Sequence, residues 1–165
     1  MNEQEYLDTY NGQSINELLE LENKFEPYEI IYVLELALDN KKDSNKELSD
    51  SEMTVLAVQA LNREVNNGGY QQFFYNSSVE YTPIISKSLK DIDCFKIADL
   101  TEKAIQCLGV KSMDFNAIED RALSDDEEME SCFRELDNVF YESEEDIDGN
   151  TLKYVKENRQ AFQIP

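Results

Sequence analysis

The chain has 165 residues, a length typical of one domain, and its 41% of hydrophobic residues, with nine Tyr and eight Phe, can form a core. Thirty-six Asp and Glu oppose 15 Lys and Arg with no histidine, which gives a net charge of -21. Such a charge repels nucleic acid and anionic membranes, so it excludes direct binding to DNA, RNA or a membrane surface and favours basic partners.

The first part of the chain predicts two helices. Ser14 and Glu17 form a capping box, in which each side chain bonds the backbone N–H of the other residue at a helix start. Pro27 suits the first position of a second helix, because its missing N–H needs no partner there. Residues 30–38 are almost wholly apolar, which indicates a buried helix, with a strand as the alternative because the run begins with β-branched residues. Residues 40–47 are predicted to form a polar loop.

Two more helices are predicted in the middle of the chain. A second capping box, of Ser49 and Glu52, opens the third helix, and the glycines within residues 66–69 end it. After a short aromatic segment, Thr82 and Pro83 are predicted to cap and start the fourth helix. The third helix is expected to bury Met53, Leu56, Ala60 and Leu61.

Three helices are predicted in the remaining part of the chain. Gly109 ends the fifth helix, because glycine accepts the left-handed conformation common after a helix. Ser124 and Glu127 are predicted to open the sixth as another capping box. Apolar residues at helical spacing mark the inner faces of all three helices. These residues are Ile97, Leu100, Ala104 and Leu108, then Met129, Cys132, Phe133, Leu136, Val139 and Phe140, then Leu152, Val155 and Phe162.

These elements predict an all-α fold, a bundle of about six to seven helices in one domain of residues 1–165, with residues 1–12 as a frayed terminus. Cys94, Cys107 and Cys132 each fall in an apolar pattern and form no CxxC motif, so we expect buried free thiols. The sequence has no secretion signal, and no apolar run approaches the roughly 20 residues of a membrane span. We therefore expect a soluble, cytoplasmic protein.

The least ordinary segment is NREVNNGGYQQFFYNSS, residues 62–78. Asn-Gly-Gly at residues 67–69 predicts a chain reversal, since these residue types accept left-handed backbone conformations. The aromatic residues that follow are expected to enter the core, with Gln71 and Gln72 satisfying backbone groups at the bend. The alternative is an amide-lined ligand pocket, although the segment has no nucleophile–base pair for chemistry.

The same segment resembles the signature of the DNA-mimic-protein-19-like family, in which Asn-Gly-Gly and an aromatic residue precede Gln-Phe-Phe and Asn-Ser. The resemblance implies an all-α fold. For the characterised namesake of the family, it also implies an acidic dimer that imitates DNA towards a helix-turn-helix transcription regulator. The signature itself is expected to be a structural hinge and not the mimicry surface. Its matching positions are Asn67, Gly68, Gly69, Tyr70, Gln72, Phe73, Phe74, Asn76 and Ser77.

The acidic residues concentrate in residues 119–148, which hold 14 Asp and Glu against two Arg. Seven of these carboxylates lie in residues 125–137, about one charge per 2.6 Å of a helix with a rise of about 1.5 Å per residue. Duplex DNA carries one charge per about 1.7 Å and a single strand one per about 3.4 Å, so the density suits a phosphate imitation. The alternative is a solvated face that serves solubility alone. The candidate partner-binding residues are Asp125, Asp126, Glu127, Glu128, Glu130, Glu135, Asp137, Glu144, Glu145, Asp146 and Asp148.

Residues 144–149 also resemble the start of a calcium-binding loop, with Gly149 at its sixth position. Val155 then occupies the twelfth position, where calcium needs a bidentate Glu, so we expect no metal site. The chain lacks histidine, the commonest general base, and it has no Gly-rich phosphate loop. We therefore predict no catalytic residue and no cofactor, and a protein that is not an enzyme.

These observations favour an acidic binding module that occupies the DNA-binding surface of a basic, helix-turn-helix type regulator and competes with DNA. Another cationic protein would be attracted by the same negative charge. The protein could also form a homodimer. One alternative is an immunity-type inhibitor of a basic nuclease toxin. The other is a hydrolase or metal-dependent enzyme that uses the acidic cluster of residues 144–148.

Overall fold

The computed structural model describes residues 6–164, and within them it contains eight α-helices, three short 3-10 helices and no strand. The all-α prediction is confirmed, and the observed number of α-helices is slightly larger than the predicted six to seven. The helices are α1 (Ile15–Glu20), α2 (Pro27–Asp43), α3 (Asp50–Tyr75), α4 (Ile85–Asp91), α5 (Phe95–Leu108), α6 (Phe115–Ala122), α7 (Glu127–Tyr141) and α8 (Ile147–Glu157).

The contacts between residues divide the chain into two units. In the described part, unit 1 contains the residues up to Leu56 and those from Asp146 onward, and unit 2 is Ala57–Glu145. None of the helices between Tyr6 and Ile164 combines the length and the apolar composition that a membrane span requires. Of the terminus predicted to be frayed, residues 1–5 lie outside the described residues, and residues 6–12 form no helix.

In unit 1, α2 packs against α1 and α8, and the predicted helix starts are confirmed. Ser14 and Glu17 form their capping box, and Pro27 is the first residue of α2, which is helical throughout and not a strand. The predicted polar loop is wrong over residues 40–43, because α2 continues to Asp43. Lysines in this last turn favour the helix, since they lie at the negative end of its dipole.

Unit 2 contains the rest of α3 together with α4–α7. The backbone of α3 leaves the helical conformation at Gly68 and Gly69, so the predicted chain break is confirmed, although helical structure resumes directly after it. Tyr70, Phe73 and Phe74 are fully buried, as predicted. These rings form the centre of the core of unit 2, where Phe74 stacks on Phe133 of α7 at 5.7 Å between ring centroids and Tyr70 meets Phe140 edge-on at 6.0 Å.

Three predictions about helices in unit 2 are wrong. The helix α6 was not predicted, because only Ile118 and Ala122 are buried in it and this apolar pattern is too short to recognise. The start of α7 is capped by Asp126, whose side chain accepts the N–H of Met129, and not by a Ser124 capping box. Thr82 does not cap α4, which begins at Ile85; its buried hydroxyl has no hydrogen-bond partner among the described atoms.

Two expectations about side chains are also wrong. Val139 was expected on the inner face of α7, yet half of its side chain is exposed. Cys107 and Cys132 are joined in a disulfide, with 6.3 Å between their Cα atoms, and are not free thiols. Cys94 is buried and lies outside this disulfide, as predicted. The disulfide links α5 to α7, two helices that already pack closely against each other.

Candidate acidic interface and its scaffold

The signature segment forms a hinge whose shape depends on Gly69. Gly68, with φ -158° and ψ 20°, is not helical. Gly69 has φ 78° and ψ -178°, a region that glycine alone adopts readily. The N–H of Tyr70 donates to Asp137 Oδ1 at 2.8 Å. A Cβ atom on Gly69 would clash with the Asp137 carboxylate, whose Cγ would lie only 2.8 Å away. The hinge therefore brings the backbone of α3 directly against a carboxylate of α7.

The amide side chains of the signature bond to other atoms of the chain. Gln72 Nε2 and Asn76 Nδ2 both donate to Glu64 Oε2, each at 2.7 Å. Gln71 Nε2 donates to the carbonyl of Ala122 at 2.7 Å, which satisfies a backbone group at the end of α6 and not at the bend. These bonds give the side-chain amides of Gln71, Gln72 and Asn76 partners within the chain. Glu64 was missed by the sequence analysis, because nothing local marks it as the common acceptor.

Tyr70 anchors the hinge from inside the core. Its hydroxyl lies 3.0 Å from Thr101 Oγ1, and Thr101 donates its own hydroxyl hydrogen to the carbonyl of Ile97 at 2.8 Å. Tyr70 is therefore the donor to Thr101. Burial raises the pKa of Tyr70 far above its ordinary value, so its hydroxyl stays protonated. Asn67 and Ser77, at the two ends of the signature, are exposed.

Four of the candidate partner-binding carboxylates have internal roles. Asp126 caps α7 and pairs with Arg121 Nη2 at 2.7 Å. The N–H of Met129 first, and then Arg121, lower the pKa of Asp126. Asp137 accepts the Tyr70 N–H at the hinge, as described above. Arg121 was not among the predicted site residues, and it also donates through Nε to the carbonyl of Leu108 at 2.8 Å.

The other two internal carboxylates cap helices. Glu145 accepts the N–H groups of Lys96 and Ile97, both at 2.9 Å, and so caps the start of α5. Asp146, in unit 1, caps α8 by accepting the Gly149 N–H at 2.9 Å. These are residues of the loop that resembles a calcium site. In the range 6–164, no three His, Cys, Asp or Glu side chains come together as metal ligands.

The remaining candidates of unit 2 face solvent. Glu130 is half-buried, whereas the rest are exposed, and Glu142, which directly follows α7, joins them although it was not among the candidates. Glu128, Glu135 and Glu142 are spaced by seven residues, so they lie nearly in line about 10.5 Å apart. Arg134 adds one positive charge to the helix. The exposed candidates of unit 2 are Asp125, Glu127, Glu128, Glu135 and Glu144; in unit 1, Asp148 is half-buried.

The charge density of this face is lower than the sequence suggested. From Asp125 to Glu142, six carboxylates without an internal role lie along about 25 Å, or about one charge per 4 Å of helix axis. A single DNA strand carries one charge per about 3.4 Å. We call these six residues the acidic face of α7: Asp125 before the helix, Glu127, Glu128, Glu130 and Glu135 on it, and Glu142 directly after it. Its charge density is closer to that of a single DNA strand than to that of a duplex, because Asp126 and Asp137 bond inside the molecule.

The opposite side of α7 is fixed to the rest of unit 2. Met129, Phe133 and Phe140 are buried, and the disulfide from Cys132 reaches α5. Tyr141 donates its hydroxyl to the carbonyl of Val65 at 2.8 Å, which ties the end of α7 to α3 just before the hinge. The carboxylates of the acidic face therefore project from a helix held along its whole length.

A family model described as DMP19-like protein matches residues 46–158. The chain belongs to the DMP19-like protein family. The match covers more than two thirds of the chain, including the hinge and the acidic face of α7. It confirms the family resemblance carried by the Asn-Gly-Gly signature. No curated protein and no solved structure matches the chain.

In this member of the DMP19-like family, the hinge predicts a pH dependence of stability. Burial raises the pKa of Asp137 above its ordinary 3.8, while the Tyr70 N–H opposes the shift. The folded protein therefore binds this proton more tightly than the unfolded chain, and the free energy of unfolding falls as the pH rises from below 3.8 through the folded pKa. Asp137→Asn keeps an acceptor for Tyr70, and it is expected to remove this fall in urea titrations between acidic and neutral pH.

The matched control at this position is Asp137→Ala, which leaves the Tyr70 N–H without its acceptor. Relative to Asp137→Asn, it is expected to lower the free energy of unfolding by about 1–3 kcal/mol at every pH, because a buried donor loses its hydrogen bond. If Asp137→Asn followed the same pH profile as the unmodified protein, the carboxyl group would not titrate as the geometry requires.

Proposed function

We propose that the protein is an acidic binding module that occupies the DNA-binding surface of a basic, helix-turn-helix type regulator and so competes with DNA. The observation that carries this proposal is the acidic face of α7. Its carboxylates project to solvent from a helix whose opposite side is fixed by core packing, a disulfide and hydrogen bonds. Membership of the DMP19-like family supports the same function.

Fixed placement is what distinguishes such a face from a merely soluble surface. A cationic surface that reads a phosphate backbone contacts charges at defined positions, and it gains little from side chains that must first be ordered. The backbone of the acidic face needs no ordering on binding, because α7 is already held in place from Met129 to Tyr141. The spacing of Glu128, Glu135 and Glu142 gives a stripe along one side of the helix.

The net charge of the whole chain supports a binding role. A charge of -21 attracts a basic partner over distances longer than a contact and accelerates association. Holding many like charges together also opposes folding, so a surface that is only soluble needs far fewer. We propose that the protein acts by binding and not by catalysis. The internal roles of Glu145 and Asp146 support this, since they occupy the carboxylates of the loop that looked most like a metal site.

The charge stripe gives a direct prediction for binding. The triple variant Glu127→Gln, Glu128→Gln, Glu135→Gln is expected to weaken the affinity for a captured basic regulator about tenfold, since three exposed charge pairs are worth about 0.2–1 kcal/mol each. Its stability should be unchanged, because none of the three side chains is buried. The control variant removes three exposed acids elsewhere, Glu20, Glu47 and Glu157, and is expected to retain most of the affinity.

The experiment begins with capture of proteins from a low-salt lysate on the immobilised chain and elution with a salt gradient. Each captured protein is identified, purified and titrated with the chain at increasing salt, with and without its DNA site. The proposal expects a regulator whose affinity falls steeply with salt and whose DNA is displaced. Affinity that is independent of salt, or binding alongside DNA, would contradict it. Capture of a basic nuclease instead would favour the inhibitor alternative.

A further inference from the structure

Unit 1 carries a small cavity lined by three exposed tyrosines. Tyr6, Tyr28 and Tyr32 are 59%, 54% and 47% exposed, and they line one cavity of about 290 Å³. Tyr28 and Tyr32 are four residues apart on α2, so their side chains lie on the same face of the helix. Leu7, Asp8 and Glu29 complete the described lining. Three aromatic rings half-open to water around one cavity form a surface suited to a ligand.

The position of Tyr6 is held by a hydrogen bond next to it. The N–H of Leu7 donates to Glu29 Oε1 at 3.1 Å, which fastens the segment before α1 onto the start of α2. The other oxygen of Glu29, Oε2, accepts the N–H of Glu26 at 3.1 Å. Glu29 is only 8% exposed, so its carboxylate is a buried group of the cavity lining, and each of its oxygens already accepts one N–H.

The charge around the cavity favours a cation. Asp8 and Glu29 line it, and none of the described lining residues is basic. The pKa of Tyr28 is raised, mainly by the negative charge of Glu29 and to a smaller extent by burial and by the Tyr6 hydroxyl. The Tyr28 side chain therefore remains a neutral phenol. Neutral aromatic rings attract cations through the negative potential of their faces.

The existing hydrogen bonds narrow the class of cation. A guanidinium group seeks a carboxylate that can accept two parallel N–H bonds, and both oxygens of Glu29 already accept backbone N–H groups. Asp8 Oδ1 accepts the hydroxyl of Thr9 at 2.9 Å. A quaternary ammonium ion has no N–H to satisfy and needs only aromatic faces and a nearby negative charge. A cavity of about 290 Å³ is at the small end for ligand sites, which suits such a group.

We propose that Tyr6, Tyr28 and Tyr32 form a binding site for the trimethylammonium group of a small molecule. The rings contact the methyl groups, and the Glu29 carboxylate in the cavity lining supplies the countercharge. This site is independent of the acidic face of α7 and of the regulator proposed to bind there, so either proposal can fail without the other.

The test is calorimetric titration of the full chain with choline and, separately, with 3,3-dimethyl-1-butanol, which has the same shape without the charge. Choline is expected to bind saturably and the alcohol at least several-fold more weakly, because the cation–π attraction is lost. Tyr28→Leu and Tyr32→Leu are each expected to weaken choline binding about threefold to fivefold. Tyr28→Phe keeps the ring and should bind choline almost as the unmodified protein does.

Tyr75→Leu is the matched control, since Tyr75 is an exposed tyrosine of unit 2 that does not line the cavity. It should leave choline binding unchanged, and circular dichroism of each variant verifies folding. Failure of choline to bind saturably would overturn the proposal, as would equal binding of the uncharged alcohol. Binding of a trimethyl-lysine peptide without binding of choline would also overturn it, because the source would then be a protein.

Discussion

Replacement of Gly69 by alanine is expected to lower the free energy of unfolding by about 2–6 kcal/mol. Two costs contribute. The backbone of Gly69 has φ 78° and ψ -178°, where a residue with a Cβ atom is strained by about 1–3 kcal/mol. The added Cβ also meets the Asp137 carboxylate, which the Tyr70 N–H holds in place, and forced overpacking costs about 1–3 kcal/mol more.

The measurement is urea unfolding followed by circular dichroism, with Gly109→Ala as the matched control. Gly109 also has a positive φ, 63°, but a Cβ there meets nothing within 4 Å. Its replacement is therefore expected to cost only about 1–2 kcal/mol, the ordinary penalty of the left-handed conformation. Combining Gly69→Ala with Asp137→Ala should cost less than the sum of the two separate losses, since the clash is then removed. Equal losses for the two glycines would contradict the hinge geometry.

Replacement of Lys41 by methionine is expected to lower the free energy of unfolding by about 3–5 kcal/mol. Lys41 Nζ donates to both oxygens of Glu52, at 2.9 and 2.7 Å, and Glu52 is fully buried. Methionine fills similar space but leaves the carboxylate without its countercharge. The N–H groups of Ser49 and Gln163 still bond to Glu52, so the loss comes from the charge.

Lys156→Met in the same unit is the control for this prediction. Lys156 pairs with Glu22 at 2.7 Å, but the two side chains are 46% and 39% exposed, and surface pairs contribute only about 0–1 kcal/mol. The double variant Lys41→Met, Glu52→Gln removes the buried charge itself and is expected to be more stable than Lys41→Met alone. Should Lys41→Met cost no more than Lys156→Met, the buried pair would not contribute as its burial indicates.

In unit 2, hydrogen bonds from α7 connect the hinge to the helix that carries the acidic face. Asp137 extends from α7 to the backbone at Gly69, and Tyr141 bonds to Val65 on the other side of the hinge. The family signature thus holds α7 without presenting a surface of its own. A change at Gly69 is therefore expected to disturb the acidic face as well as the core, because the same helix carries both.

Several features of the fold were predictable because they depend on residues close in sequence. The Ser14–Glu17 capping box and the helix end at Gly109, with φ 63°, follow from backbone groups within one helical turn. The start of α7 was harder, because Ser124 and Asp126 are both good caps. The Ser124 hydroxyl instead accepts an N–H of the Arg121 side chain and donates to the Arg121 carbonyl, and Asp126 caps the helix. The helix α6 was missed since two buried residues give almost no periodic signal.

The sequence by itself determined the helical class, the break at the paired glycines and the large negative charge, because each follows from composition or from contacts within a few residues. The tertiary structure alone decided which carboxylates remain available to a partner. Glu145 caps a helix that begins about 50 residues earlier, and Asp137 accepts an N–H that is 67 residues away. No local pattern reveals such bonds, since a carboxylate is bonded or free only according to which N–H groups the fold brings within reach.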